Sequence, residues 1–128
     1  ALQLPFRDRT FSIVSCAFGV RNMQALDCGL REMARVLRDG GRAVILEFSR
    51  PENSTIRRFY EIYSHRVMPW AAAVLSGDRT GAYRYLPKSV VSFVTPQEMR
   101  QRLVQAGFKD VAATPLTMGV VTVYVAYL

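Results

Sequence analysis

A chain of 128 residues, half of them hydrophobic, can bury one small core, so it forms one domain or part of one. Its formal net charge is +7, and fifteen of the seventeen basic residues are arginines scattered through amphipathic patterns. This scatter favours a solvated surface over attraction to an anionic membrane, and it argues against a nucleic-acid partner.

The first three predicted elements are a strand, a helix and a second strand. Phe11–Phe18 is an apolar run after a polar turn, which predicts a buried strand. Apolar residues recur at helical spacing from Gln24, which predicts an amphipathic helix that ends at Gly40 and Gly41. Arg42–Ser49 predicts another buried strand. Together they make a parallel crossover unit whose sheet we expect to be covered on both faces.

Two helix starts stand out in the second half. Asn53, with the serine and threonine that follow it, can cap a helix. Thr95 is followed by proline and, three positions on, by Glu98, which predicts a capping box for a helix that Gly107 ends. Between the two helices lie an irregular apolar stretch, Val67–Leu75, and a polar loop.

The chain closes on two predicted strands, Val111–Leu116 and Val120–Leu128, joined by a short turn. In the second of these, valines alternate with Thr122, Tyr124 and Ala126, as in a strand with two different faces. The parallel crossover unit indicates an α/β fold, and this hairpin finishes the otherwise parallel sheet.

Several kinds of site are not indicated. Cys16 lies in the first strand and Cys28 on the first helix, so we expect neither a disulfide nor a metal site but a reduced, intracellular protein. His65 is the single histidine and has no acidic cluster for a zinc site. No apolar stretch approaches the ~20 residues of a membrane span. The glycines form no Gly-x-Gly-x-Gly loop, so we expect this chain to lack part of any cofactor site.

The polar candidates for function lie where predicted strands end. Ligands of open α/β sheets bind beyond the carboxyl ends of the parallel strands. Arg21 and Asn22 follow the first strand, and Glu47 comes at the end of the second. The alternative interpretation is that Arg21 is a cap or surface residue and that Glu47 is paired with a neighbouring arginine.

Five segments carry a resemblance to a known family. They are Leu4–Phe6 with Thr10 and Phe11, Ala17–Asn22 (family pattern SFGLRN), Arg35–Gly41 (RVLKPGG), Leu46–Pro51 (LEFSKP) and Tyr83–Leu86 (YRYL). In this order they resemble the quinone-biosynthesis C-methyltransferases of the UbiE type, which are class I S-adenosylmethionine-dependent enzymes. The second, fourth and fifth segments are the specific ones.

The resemblance implies a Rossmann-like α/β fold with a seven-stranded methyltransferase sheet. Residues 1–128 would supply its fourth to seventh strands, of which the last is antiparallel. We expect the first three strands, with the glycine loop and the acidic residue for the cofactor ribose, to be absent from this chain. The isolated chain is therefore expected to be inactive and to bind the cofactor weakly or not at all.

The resemblance also implies a reaction, in which S-adenosyl-L-methionine methylates a ring carbon of a polyprenyl benzoquinol or naphthoquinol. Arg21 would stabilise the quinol oxyanion or orient a water, and Asn22 would bind the second ring oxygen. Ala1, Ala17 and Phe18 would contact the cofactor, although Ala17 stands where many members have serine.

A lipid-tailed quinol also needs a pocket. The family's substrate pocket would map to Glu47, Tyr63, His65, Tyr83 and Tyr85. Val67–Leu75 would wall the tail, unless it is a core or dimer helix. Nearby arginines would suit peripheral contact of a cytoplasmic protein with the inner face of the membrane.

Two other interpretations remain open. One is a different small-molecule methyltransferase, acting on a sterol, a polyketide or a plastoquinol-type precursor. The other is a non-catalytic chain that assembles through the exposed strand Phe11–Phe18 as a homo-oligomer or strand-paired dimer. Light scattering tests the second, since a stable monomer would contradict it.

Overall fold

The computed structural model describes residues 3–49, 54–63, 66, 70 and 94–128. Its elements in chain order are β1 (Phe11–Ala17), a 3-10 turn (Val20–Asn22), α1 (Leu26–Val36), β2 (Leu37–Phe48), α2 (Ser54–Ile62), α3 (Pro96–Gln105), β3 (Asp110–Leu116), a second 3-10 turn (Thr117–Gly119) and β4 (Val121–Tyr127). The described strands and helices follow the order that the sequence predicts.

These strands form one sheet in the order β1-β2-β4-β3. β1 and β2 are parallel, and β4 is antiparallel to both β2 and β3. The predicted crossover unit and closing hairpin are therefore confirmed. Because β1, β2 and β3 run in the same direction, their carboxyl ends lie along one edge of the sheet.

The core lies between one face of the sheet and the two helices α1 and α3. Its helical side chains, each at most 3% exposed, come from Leu30, Met33, Met99 and Leu103. They pack on strand residues of one face, namely Ala43, Ile45, Tyr124 and Ala126. Full burial of a large apolar side chain contributes about 1.5–3 kcal/mol, so this layer holds the sheet and the helices α1 and α3 together.

The opposite face is more open than the sequence predicts. β1 lies at the edge of the sheet, and on this face Ile13 is 49% exposed while Ser15 and Ala17 are also exposed. Both α1 and α3 pack on the other face, so neither helix covers this one. For the described residues, the prediction of a first strand buried on both faces is wrong.

The end of α1 also differs from the prediction. The helix stops at Val36, and extended backbone begins at once at Leu37, because Thr10 N donates to Val36 O (2.8 Å) and starts the pairing with β1. Gly40 has a positive φ of 76°, as a terminating glycine would, but it lies in a bulge within β2. The residues taken as the helix end thus belong to the next strand.

The start of α3 follows the predicted capping box. Thr95 Oγ1 accepts from Glu98 N at 3.2 Å, and Glu98 Oε2 accepts from Thr95 N at 3.1 Å. Gly107, with a φ of 113°, follows the helix as predicted. A cap of this kind contributes about 1 kcal/mol and fixes where α3 begins.

A single arginine ties the segment before β1 to α1. The Arg35 guanidinium donates to the carbonyls of Leu4 (3.0 Å) and Phe6 (2.8 Å) and to Asp8 Oδ1 (2.6 Å). It also donates to both oxygens of Glu32, and Glu32 Oε2 accepts from Leu4 N at 2.8 Å. The hydrogen bond from Arg35 is the main reason that the pKa of Glu32 falls to about 2.

We expect Glu32→Gln to make the free energy of unfolding depend less on pH in the acid range. The folded-state pKa of about 2 lies below the ordinary value of 4.5, so the contribution of Glu32 is complete above the ordinary value and is lost as the pH falls toward 2. Urea unfolding at several pH values should show a smaller loss of midpoint below about pH 5 for the variant than for the wild type. Asp110→Asn, at an exposed position, is the matched control. Equal acid sensitivity of wild type and Glu32→Gln would contradict a stabilising role for the Arg35–Glu32 contacts.

Candidate functional site at the strand ends

The site is built where the neighbouring strands β1 and β2 end. Phe18 N continues the strand pairing by donating to Leu46 O at 2.8 Å. The chain then turns through the short 3-10 segment, which Val20 anchors in the core at 1% exposure. This turn places Arg21 beside the last residues of β2, so the residues predicted from strand ends are brought together.

Arg21 and Glu47 form a buried ion pair. Arg21 Nη1 lies 2.7 Å from Glu47 Oε1, and the two side chains are 9% and 0% exposed. The same carboxylate accepts from two backbone amides, Phe48 N at 2.9 Å and Arg21 N at 3.3 Å. Glu47 therefore holds both the guanidinium and the backbone of the turn.

Such a pair is costly to break. Burial of either charge alone carries a desolvation penalty, and removal of one partner from a buried pair typically costs about 3–5 kcal/mol. The alternative interpretation, that Glu47 is paired with a neighbouring arginine, is thus correct for its side chain. Its predicted place in a substrate pocket stays a prediction.

One donor of Arg21 has no acceptor among the described residues. Nη1 is shared between Glu47 and the carbonyl of Phe18 (2.9 Å). Within the part of the chain that the structure describes, the buried Nε finds no hydrogen-bond partner. A buried unsatisfied donor costs about 1–3 kcal/mol, so this Nε–H is a candidate donor to an acceptor from outside the described residues.

Two aromatic rings border this guanidinium. Phe48 lies beneath it at 5.3 Å from ring centroid to guanidinium carbon, a cation–π contact, and Phe18 packs on Phe48 with centroids 4.7 Å apart. Phe18 remains 38% exposed and has a left-handed φ of 54°, which is strained for an aromatic residue. The strain and the exposed ring make this strand end a candidate position for a flat ligand.

The sequence did not single out Phe48, which looked like an ordinary strand residue. Its contact with Arg21 depends on how the turn folds back over the strand ends. The sequence also missed the link of Ser49 Oγ to Gly119 O and Thr122 Oγ1, both 2.7 Å away. A polar Thr122 among the buried Tyr124 and Ala126 was the available signal, since a buried hydroxyl needs a partner.

The titratable neighbours of Glu47 stay protonated at neutral pH, so they are not available to accept a proton. Burial raises the pKa of the Cys16 thiol, and the charge of Glu47 adds to the effect. Burial also raises the pKa of Tyr124 to about 12, again with a contribution from Glu47. Arginine is too basic to accept a proton, so these groups can donate hydrogen bonds but do not abstract a proton.

The other predicted site residues are partly accounted for. Asn22, Ala17 and Tyr63 are exposed, and Asn22 N donates to Gly19 O at 3.1 Å. The remaining four lie outside the described residues: Ala1, His65, Tyr83 and Tyr85. Of Val67–Leu75 only Trp70 is described, at 67% exposure.

The residues present fit only one flank of an adenosyl cofactor. Ala17 and Phe18 offer a small side chain and an exposed ring at the end of β1. Gly19, the glycine nearest to them, leaves no cradle, since a Cβ there would meet Cys16 Sγ at 3.0 Å. In the described ranges no three His, Cys, Asp or Glu side chains converge on a metal position. None of the described helices has both the length and the apolar character to span a bilayer.

Relatives were found by sequence comparison. The profile of the ubiE/COQ5 methyltransferase family matches residues 1–128. The ubiquinone/menaquinone biosynthesis C-methyltransferase UbiE of Geobacter sulfurreducens is 45% identical over 121 residues, which cover 94% of this chain and 46% of that protein. UbiE of Shewanella sp. strain ANA-3 is 38% identical over 124 residues, 97% of this chain and 49% of the relative. The chain spans about half the length of these relatives.

Solved structures of methyltransferases share the fold of this chain. A SAM-dependent methyltransferase from Thermotoga maritima superposes with a TM-score of 0.65 at 17% identity, over 98% of this chain and 60% of the other. One from Aquifex aeolicus gives 0.56 at 15% identity, over 98% and 48%. At such identities the likeness concerns the fold, which is a Rossmann-like methyltransferase half sheet. With the family profile matched along its whole length, the chain belongs to the ubiE/COQ5 methyltransferase family.

Proposed function

We propose that this chain provides the quinol-binding side of an S-adenosylmethionine-dependent C-methyltransferase of quinone biosynthesis. The observation that carries the proposal is the buried guanidinium of Arg21 at the strand ends, with its Nε–H unpaired among the described residues. The family and the names of the curated relatives support the reaction class. A benzoquinol and a naphthoquinol both satisfy this chemistry.

Arg21 acts on an oxygen of the quinol ring. A ring carbon becomes a strong nucleophile as the neighbouring hydroxyl loses its proton, and a donated hydrogen bond strengthens as negative charge builds on that oxygen. Nε–H is the donor in this step, and Asn22 on the same turn binds the second ring oxygen. The proton is not taken by Arg21, Cys16 or Tyr124, so it leaves to solvent or to a group outside this set.

The aromatic pair orients the ring. Phe18 and Phe48 lie beside Arg21, so a quinol ring packed on Phe18 brings its oxygen toward the guanidinium. Ala17 and Phe18 form one flank for the cofactor, which supplies an electrophilic methyl group. Methyl transfer needs close, in-line approach more than activation, so the orientation of the ring provides much of the rate.

The exposed apolar side chains of α2 suit the lipid tail of the proposed substrate. On α2 and just after it, Phe59, Ile62 and Tyr63 are 70%, 48% and 56% exposed, and their spacing puts them on one helix face. Arg58 is exposed on the same helix, and Arg66 is exposed shortly after it. Apolar side chains with adjacent cations suit the interface of an anionic membrane, where a polyprenyl quinol resides.

Replacement of Arg21 tests the catalytic role. In the complete gene product that carries this chain, Arg21→Ala should lower kcat for methylation of a demethylquinol by about 10²–10³-fold, as loss of an oxyanion donor does. The affinity for S-adenosylmethionine, measured by calorimetry, should remain within about threefold, because Arg21 contacts the substrate. Arg21→Lys, which keeps the charge beside Glu47 but loses Nε–H, should also be impaired.

The matched control is Arg102→Ala, which removes another arginine–carboxylate pair, the one with Asp27 at 2.8 Å between α3 and α1. It should leave kcat unchanged. Unchanged turnover in Arg21→Ala would remove Arg21 from the mechanism. Absence of any cofactor-dependent methylation of benzoquinols or naphthoquinols by the wild type would contradict the proposed function itself.

Membrane contact is tested with vesicles. Sedimentation with phosphatidylglycerol vesicles should show binding that Phe59→Ser together with Ile62→Ser weakens by about thirtyfold, since each of the two side chains loses about 1 kcal/mol of interfacial burial. Val104→Ser on α3, another exposed apolar position at 57%, is the control and should bind as the wild type does. Equal binding by all three proteins would contradict a membrane role for α2.

A further inference from the structure

Both oxygens of the buried Glu47 carboxylate already accept hydrogen bonds from the protein. Its Oε1 accepts from Arg21 Nη1 and from Phe48 N, and its Oε2 faces Arg21 N. The side chain is fully buried. Its effect on a bound molecule must therefore pass through Arg21.

The carboxylate sets the orientation of the guanidinium and compensates its charge. Nη1 is held from two sides, by Glu47 Oε1 at 2.7 Å and by Phe18 O at 2.9 Å, with the Phe48 ring beneath. The plane of the guanidinium is set by these contacts, and with it the direction of Nε–H. At the same time the negative charge of Glu47 compensates the positive charge of Arg21 at close range.

A compensated guanidinium differs from a free one as a binding group. A free cation at the bottom of a site prefers an anion, whereas a neutral ion pair offers a directional N–H donor with little net field. Such a donor is matched by an uncharged oxygen acceptor, as in a quinone carbonyl or a quinol hydroxyl. The other titratable groups near Glu47 are Cys16 and Tyr124, and both remain protonated and uncharged at neutral pH.

We propose that Glu47 is a positioning and specificity-determining residue, which aims Arg21 Nε–H at the ligand and cancels its charge so that the site accepts an uncharged ring oxygen. The ring class of the ligand rests on the proposed function. The role of Glu47 rests on its contacts with Arg21, Phe48 and the turn.

The proposal is tested by charge selectivity. Two probes share one ring system: 2,3-dimethyl-1,4-naphthoquinone is uncharged, and 2-hydroxy-3-methyl-1,4-naphthoquinone is an enolate at neutral pH. Both have their reactive ring positions blocked against the thiols of Cys16 and Cys28. The ratio of their dissociation constants, measured by fluorescence or calorimetry on the complete gene product, reports the preference for charge.

Glu47→Gln keeps an oxygen for Arg21 and Phe48 but uncovers the charge of the guanidinium. We expect it to shift the ratio toward the enolate by about tenfold, a modest share of the attraction between unit charges a few ångströms apart. Glu98→Gln makes the same chemical change at the distant start of α3 and should leave the ratio as in the wild type. If the ratio of dissociation constants is the same in a folded Glu47→Gln protein as in the wild type, the proposal is overturned, because replacement of a purely structural glutamate would not change that ratio.

If Glu47→Gln does not fold, an NMR measurement on the wild-type protein tests the proposal instead. In protein labelled with ¹⁵N-arginine, the Arg21 Nε–H resonance, assigned by its loss in Arg21→Lys, should shift on addition of the uncharged probe. An unshifted resonance at saturating probe overturns the proposal.

The proposed function and this inference can fail separately. Loss of charge selectivity in Glu47→Gln without any methyl transfer by the wild type contradicts the function and upholds the role of Glu47. Methyl transfer with an unaltered probe ratio contradicts the role of Glu47 and leaves the function standing.

Discussion

The buried ion pair between Arg21 and Glu47 is the interaction on which the candidate site depends. It joins the turn after β1 to the end of β2, with both side chains at least nine-tenths buried. Without the carboxylate, the guanidinium would be an uncompensated charge at the core, a state that costs several kcal/mol. The pair thus constrains the turn, the direction of Arg21 and the position of the Phe48 ring together.

The sheet order explains why this pair can form. β1 and β2 are parallel neighbours, so residues that follow one strand lie beside the last residues of the other. The helices α1 and α3 press on one face of the sheet and bury the side of β2 that carries Glu47. Ser49 and Thr122 then link the end of β2 to the start of β4, which stiffens the same edge. At the proposed site, a ligand oxygen would meet a donor whose position is set by the fold.

Much of this could be predicted from the sequence because the signals are local. The crossover unit, the hairpin and the capping box at Thr95 follow from periodicity and turn chemistry, and the structure confirms them. The strand-end rule found Arg21 and Glu47, and pairing of Glu47 with an arginine was one interpretation, but the sequence did not say that Arg21 is the partner, since that depends on how the turn folds. The end of α1 was wrong because pairing with β1 outweighs the glycines. The openness of the β1 face at Ile13 depends on what packs there, which a local pattern does not encode.

Whether the ion pair organises the strand ends is tested by a double-mutant cycle on the stability of the protein with Arg21→Met and Glu47→Leu. Each single variant leaves a buried charge without its partner and should lose about 3–5 kcal/mol of unfolding free energy, whereas the double variant should recover most of that loss. We predict a coupling energy of at least about 2 kcal/mol. Additive losses, with a coupling energy near zero, would show that the ion pair does not organise the strand ends.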